Sequence, residues 1–231
     1  LSIGLYYLIG INGIILGIGL SFFSYLPIII KEFKTTKIDF SLLKPRLGFI
    51  SSSFGQNLLA TFSNQTDKLI IAPLLGFTLL GNYQLGIQFI AVFQLLPLIV
   101  MKFTLPHDAT GRSNKNLKII TILTSIGFTA LIIFLSPILI PMFFDDFIFI
   151  VDITQILSLS LTPMAISSAY SSKFLGAEKS KIVFTGMGIL LITHICGILI
   201  LGNILGIVGI AISYVLAMTI QVIFYFIMNL K

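Results

Sequence analysis

Seven stretches of this chain are each long and apolar enough to cross a lipid bilayer, and no other feature narrows its possible folds so far. They run over about 4–30, 47–75, 81–105, 117–141, 147–172, 182–202 and 205–229. Roughly 20 apolar residues in a helix cover about 30 Å of hydrocarbon. Barrel strands are ~10 residues of strict in-and-out alternation, whereas these runs are continuous and rich in Leu and Ile. Composition agrees: 57% of residues are hydrophobic and 10% charged, with a mean hydropathy of +1.09. A soluble domain carries about 25% charged residues, and disorder requires low hydrophobicity. Both classes are excluded, and an all-α, polytopic membrane protein of about seven transmembrane helices is expected. Gly13, Gly17, Gly186 and Gly188 lie inside spans, where small residues let helices approach closely. Pro97 and Pro163 predict kinks or broken turns.

The first run has no Lys or Arg before Lys31. A signal peptide would carry a basic start, a 7–15-residue apolar core and a small-residue cleavage site. Residues 1–30 therefore read as a membrane span, and the true N-terminus is expected upstream.

Loop charge orients the chain. Lys31, Lys34, Lys37, Lys44 and Arg46 follow the first span, and Lys102, Arg112, Lys115 and Lys118 follow the third. Lys173, Lys179 and Lys181 follow the fifth, and Lys231 closes the chain. The intervening connections carry no charge, or only Asp145, Asp146 and Asp152. Thirteen of fourteen basic residues thus sit on alternate loops. Positive loops stay inside, which places the 31–46 loop and the C-terminus in the cytoplasm of a multi-pass cell-membrane protein. The net charge of +6 is then a topology signal with some attraction to anionic headgroups, and a nucleic-acid partner is excluded.

The second span is unlike the rest. From Ser51 to Lys68 it reads SSSFGQNLLATFSNQTDK. At about 100° per residue, Ser53, Gln56, Asn57, Ala60, Asn64 and Asp67 share one side, with Thr61 and Lys68 on its flank. Phe54, Leu58 and Phe62 lie opposite. A polar stripe in a membrane helix faces a bundle interior or a watered cavity. Asp67 and Lys68 form the one acidic–basic pair inside a span, so they are either part of a substrate or ion path or groups snorkelling to the outer headgroups. Ser53, Gln56, Asn57, Thr61, Asn64, Asp67 and Lys68 are the candidate lining residues.

Other polar residues signal less. His194, near Cys196, reads as a packing histidine, and His107, Asp108 and Arg112 as solvated loop residues. One cysteine excludes an internal disulfide, and no spacing for metal ligands, catalytic nucleophiles or phosphate loops occurs, so no cofactor, metal or enzymatic activity is expected.

Four segments carry a family resemblance. The stretch TDKLIIAPLLGFTLLGNYQLGIQFIAVFQLLP resembles the seventh-to-eighth span region of polysaccharide-export flippases, with an intramembrane Asp, an apolar run and then Leu-Gly-x-Tyr. Pro106 with its short charged loop is similar to the end of the eighth span. FLGAEKSKI resembles the tenth-to-eleventh connection, and NILGIVGIAISYVLAMTIQVIFYF the twelfth span. The family belongs to the multidrug/oligosaccharidyl-lipid/polysaccharide superfamily. The resemblance divides the chain into a final N-lobe span (1–30), a basic interlobe loop (31–46) and a six-helix C-terminal lobe (47–231).

The resemblance implies translocation of lipid-linked oligosaccharide or polysaccharide precursors by alternating access between two lobes. It makes lipid-linked sugar the substrate, membrane lipid a partner, and this chain about half of the machinery. A missing N-terminal lobe or a second copy would complete it. Within that reading, Ser53, Gln56, Asn57 and Asn64 meet sugar hydroxyls and Lys68 the diphosphate. A cation-coupled drug antiporter of the same superfamily, with Asp67 as coupling site, is the alternative. A non-transporting truncated or structural subunit is a third reading. An intramembrane glycosyltransferase is a fourth, without a visible acidic catalytic group.

Overall fold

The computed structural model describes residues 2–35, 41, 44–112, 114–143 and 150–230, and every regular element among them is helical. Asp145, Asp146, Lys37 and Lys231 lie outside the described residues. The helices are α1 (Ser2–Ile9), α2 (Ile11–Phe23), α3 (Leu26–Thr35), α4 (Leu47–Leu75), α5 (Phe77–Ala109), α6 (Lys115–Phe143), α7 (Ile150–Ser158), α8 (Leu161–Gly176) and α9 (Ser180–Leu230). They fall into two compact units, Leu1–Arg46 and Leu47–Lys231.

In the first unit the expected span over 4–30 is broken. Gly10 takes φ 64°, a conformation open to glycine, and reverses the chain. Gly13 then lies against the backbone of Leu5 and Gly17 against Ser2, so α1 and α2 pair antiparallel. The stretch able to cross a membrane is Ile11–Lys34. A hydropathy run does not register the reversal, because the segments on both sides of Gly10 are predominantly apolar.

In the second unit, helices long and apolar enough to cross are Phe77–Ala109, Lys115–Met142, Ile150–Gly176 and Ser180–Leu230. With Ile11–Lys34 these make five among the described residues. The expected spans at 182–202 and 205–229 share the 51 residues of α9. At about 1.5 Å per residue a straight helix of that length would be more than twice as long as the hydrocarbon is thick. The chain instead folds at Gly206 (φ 59°) into two antiparallel arms. Gly186 packs on Tyr225, Gly197 on Ser213 and Gly202 on Ile210, fixing one register along the arms. α4 does not meet the composition test for a span, which follows from its polar series.

The proline expectations divide. A break at Leu159–Ser160 precedes Pro163, which sits in the first turn of α8 where its missing N–H is not needed. α5 instead runs without interruption through Pro97 and Pro106.

Several hydroxyls of α6 bond within their own helix. In α6 the hydroxyls of Thr121, Thr124, Ser125 and Thr129 each donate to the carbonyl four residues earlier. Thr121, Thr124 and Ser125 need no partner helix, while the Thr129 hydroxyl also reaches the Ser158 carbonyl of α7 at 2.9 Å.

Two apolar layers hold the second unit together. The larger one gathers Ile71, Tyr83, Ile90, Ile153, Leu157, Leu161, Ile198 and Ile210 from α4, α5, α7, α8 and both arms of α9. The smaller joins Phe174, Val183 and Tyr225. These layers are thirteen residues apart on α8 (Leu161 to Phe174) and fifteen on each arm of α9 (Val183 to Ile198, Ile210 to Tyr225), and polar groups lie between them.

Candidate functional site: a polar chamber within the helical lobe

The chamber between the two layers has a volume of ≈ 280 Å³.

Four helices line the chamber. α4 contributes Gln56, Ala60 and Ser63, and α5 contributes Gln94, Leu98 and Met101. α8 adds Met164, Ser167, Ser168 and Ser171, and the arms of α9 add Met187, Leu190, His194, Tyr214, Met218 and Gln221. A hydrogen-bonded belt crosses one end. Ser167 Oγ donates to Gln221 Oε1 at 2.9 Å, Gln221 Nε2 donates to Tyr225 Oη at 3.4 Å, and Tyr225 Oη donates to the Val183 carbonyl at 3.2 Å. Gln221 thus ties α8 to both arms of α9 and has its acceptor and donor engaged.

His194 is different. It is 2% exposed, meets Tyr214 edge to face at 5.4 Å, and neither ring nitrogen has a hydrogen-bond partner. Ser63 Oγ, also on the chamber wall, is likewise unpartnered. Buried polar atoms are satisfied in the great majority of folds, so two such groups on one wall set this chamber apart from the apolar layers on either side. Met101, Met164, Met187 and Met218 supply adaptable apolar wall between them.

The sequence-derived stripe divides between two surfaces. Gln56 lines the chamber, and Asp67, 4% exposed, is buried further along the same face of α4. Its Oδ1 accepts the Lys68 backbone N–H at 2.8 Å, and the Gln84 side chain lies beside it. Ser53 is half-buried with its hydroxyl unpartnered. Asn57 and Thr61 are exposed instead, with the Thr61 hydroxyl donating to the Asn57 carbonyl at 2.9 Å. Lys68 is half-buried, and the side chain of Asn64 lies outside the described residues. Phe54, Leu58 and Phe62 are exposed on the far side. The inward direction therefore runs through Gln56, Ala60, Ser63 and Asp67, at positions i, i+4, i+7 and i+11. Ser63 is not legible in the sequence because it sits between Phe62 and Asn64, and at about 100° per residue the polar stripe is centred about 40° away from the inward direction.

A second departure lies at the basic end. Asp108, expected as a solvated loop residue, is in the last turn of α5 with its side chain 4% exposed. Its Oδ2 accepts from Lys118 Nζ and from Ser172 Oγ, each at 2.5 Å. Since Ser172 spends its proton on Asp108, the Thr104 hydroxyl donates to Ser172 at 2.9 Å. Gly176 permits this, because a Cβ there would stand 2.8 Å from the Asp108 Cβ. One carboxylate thus pins α5, α6 and α8 together. Among the described residues no group of three or more His, Cys, Asp or Glu side chains gathers as a metal site.

Comparison with known proteins falls where the sequence resemblance pointed. Residues 16–117 match a family described as "Polysaccharide biosynthesis protein". The fold is similar to that of the lipid II flippase MurJ in an inward closed conformation, with a TM-score of 0.81 and 20% identity. That match covers 100% of this chain and 53% of MurJ, so the chain spans about half the length of the protein it resembles. No curated protein sequence matches the chain.

Proposed function

We propose that this chain forms one lobe of a flippase that carries the sugar-bearing head of lipid-linked oligosaccharide or polysaccharide precursors across the cell membrane. The observation that carries the reading is the similarity of the whole chain to half of a flippase fold. A hydrophilic head must cross hydrocarbon while its lipid tail stays in the bilayer, and two lobes rocking about a central cavity provide such a path. The polar helix α4 supports this role, since its Asn57 and Thr61 are exposed on a helix that must lie among membrane spans. In this reading Ser53, Gln56, Asn57, Thr61 and Asn64 offer hydrogen bonds to sugar hydroxyls and Lys68 meets the diphosphate. A second lobe, from another segment or a second copy, completes the cavity. The loop charges support a cytoplasmic 31–46 segment and C-terminus. Transport needs no bond to be made or broken.

One observation favours coupling to a cation: Asp67 is a buried carboxylate inside the lobe. The test is translocation of a fluorescent lipid-linked sugar into liposomes by the complete transporter. Asn57→Leu and Lys68→Ala should each lower the rate at least about tenfold, and Lys68→Arg should retain part of it. Asp67→Asn abolishing transport of a cationic drug, with sugar transport absent in the parent protein, would favour the antiporter reading. Unchanged sugar transport in the Asn57 and Lys68 variants would overturn the assignment of α4.

A further inference from the structure

Beside the Asp108 cluster, a cleft of ≈ 470 Å³ opens between α6 and α8, closed at one end by the last turn of α9. Its rim carries Lys115, Lys118 and Lys173, against the single carboxylate of Asp108. Lys118 is committed to that carboxylate, and Lys173 Nζ donates to Asn229 Oδ1 at 2.5 Å. Lys115 is exposed at the start of α6, whose first turn holds no acidic residue. The walls change character with depth. Ile122 lies four residues beyond Lys118, and Ile166 seven residues before Lys173. At about 1.5 Å per residue Ile122 and Ile166 are rooted roughly 6–10 Å further along their helices than Lys118 and Lys173.

We infer that this cleft binds the headgroup of an anionic phospholipid, with the phosphate at Lys115 and Lys173 and the first carbons of an acyl chain along Ile122 and Ile166. A free anion would use the rim and leave the apolar wall wet. A neutral lipid would fill the wall and leave the lysines without a counter-charge. Only a phosphate carried on an apolar tail matches both. Basic pockets between membrane helices on the cytoplasmic side suit such headgroups. The site is separate from α4 and does not depend on what the protein transports.

The test is native mass spectrometry of the full chain titrated with phosphatidylglycerol or phosphatidylcholine. The parent chain should prefer phosphatidylglycerol. Each lysine near an anionic headgroup is worth about fivefold, so Lys115→Gln with Lys173→Gln should weaken that lipid about 25-fold. Lys179→Gln with Lys181→Gln removes the same charge from the same end but not from the cleft, and should change binding less than about threefold. Circular dichroism checks that both pairs keep the parent helicity. Equal losses in the two pairs, or none in either, would overturn the site. So would displacement of the lipid by inorganic phosphate alone, which would mark a free-anion site. Tighter binding of undecaprenyl diphosphate than of phosphatidylglycerol, lost in the cleft variant, would make it a substrate dock and overturn the bilayer-lipid assignment.

Discussion

Replacing Asp108 by Ala tests whether one carboxylate holds three helices together. The side chain is 4% exposed and its partner Lys118 11% exposed, so the pair is largely out of water. Removing one partner of a buried pair costs about 3–5 kcal/mol, because the other charge is left uncompensated. Lys118 lies on the rim of an open cleft and can turn toward solvent, which favours the lower end of that range. At about 2–4 °C per kcal/mol for a chain of this size, a loss of about 3 kcal/mol lowers the melting temperature by ~6–12 °C. Circular dichroism at 222 nm in detergent reads the transition. Lys118→Met alone should cost a similar amount, since it strands the carboxylate. The double variant should be less damaged than the two single losses added together, because no charge is left unpaired. A solvated surface aspartate would shift stability by less than about 0.5 kcal/mol. A melting point within about 1 °C of the parent after Asp108→Ala would therefore refute the clamp.

Three further outcomes are expected. Gly206→Ala should destabilise by about 1–3 kcal/mol, because the turn between the arms of α9 holds φ at 59°; an unchanged melting curve would show that the arms do not reverse there. Gly186→Val should cost about 1–3 kcal/mol by driving a side chain into the Tyr225 ring, and Tyr225→Leu added to it should restore part of the loss; no recovery would separate the two positions. In a Cys196→Ser background, cysteines at Lys115 and Lys179 should resist an impermeant thiol reagent applied to intact cells and react after permeabilisation; labelling from outside would reverse the topology.

What the sequence alone determined is the solvent this chain folds in and the order of its apolar segments. Those follow from local chemistry: a bilayer demands long apolar runs, and loop charge is a one-dimensional pattern. α5, α6, the α7–α8 pair and the arms of α9 all fall where those runs are. The polar character of α4 was equally plain, since no contact is needed to see that its serines, glutamine and asparagines are unsuited to lipid on all sides. Which face of α4 turns inward was decided by the helices packed on it, and they selected Gln56, Ser63 and Asp67 over Asn57 and Thr61. Gly10 and Gly206 reverse the chain while Gly13, Gly17 and Gly186 remain helical, although all five sit in similar apolar surroundings. The difference lies in the partner each segment meets. Asp108 shows the same principle most sharply. Its burial comes from Lys118, Ser172 and the close approach of Gly176, residues 10, 64 and 68 positions away. A carboxylate's surroundings are a matter of distance in space, and only the tertiary structure supplies that distance.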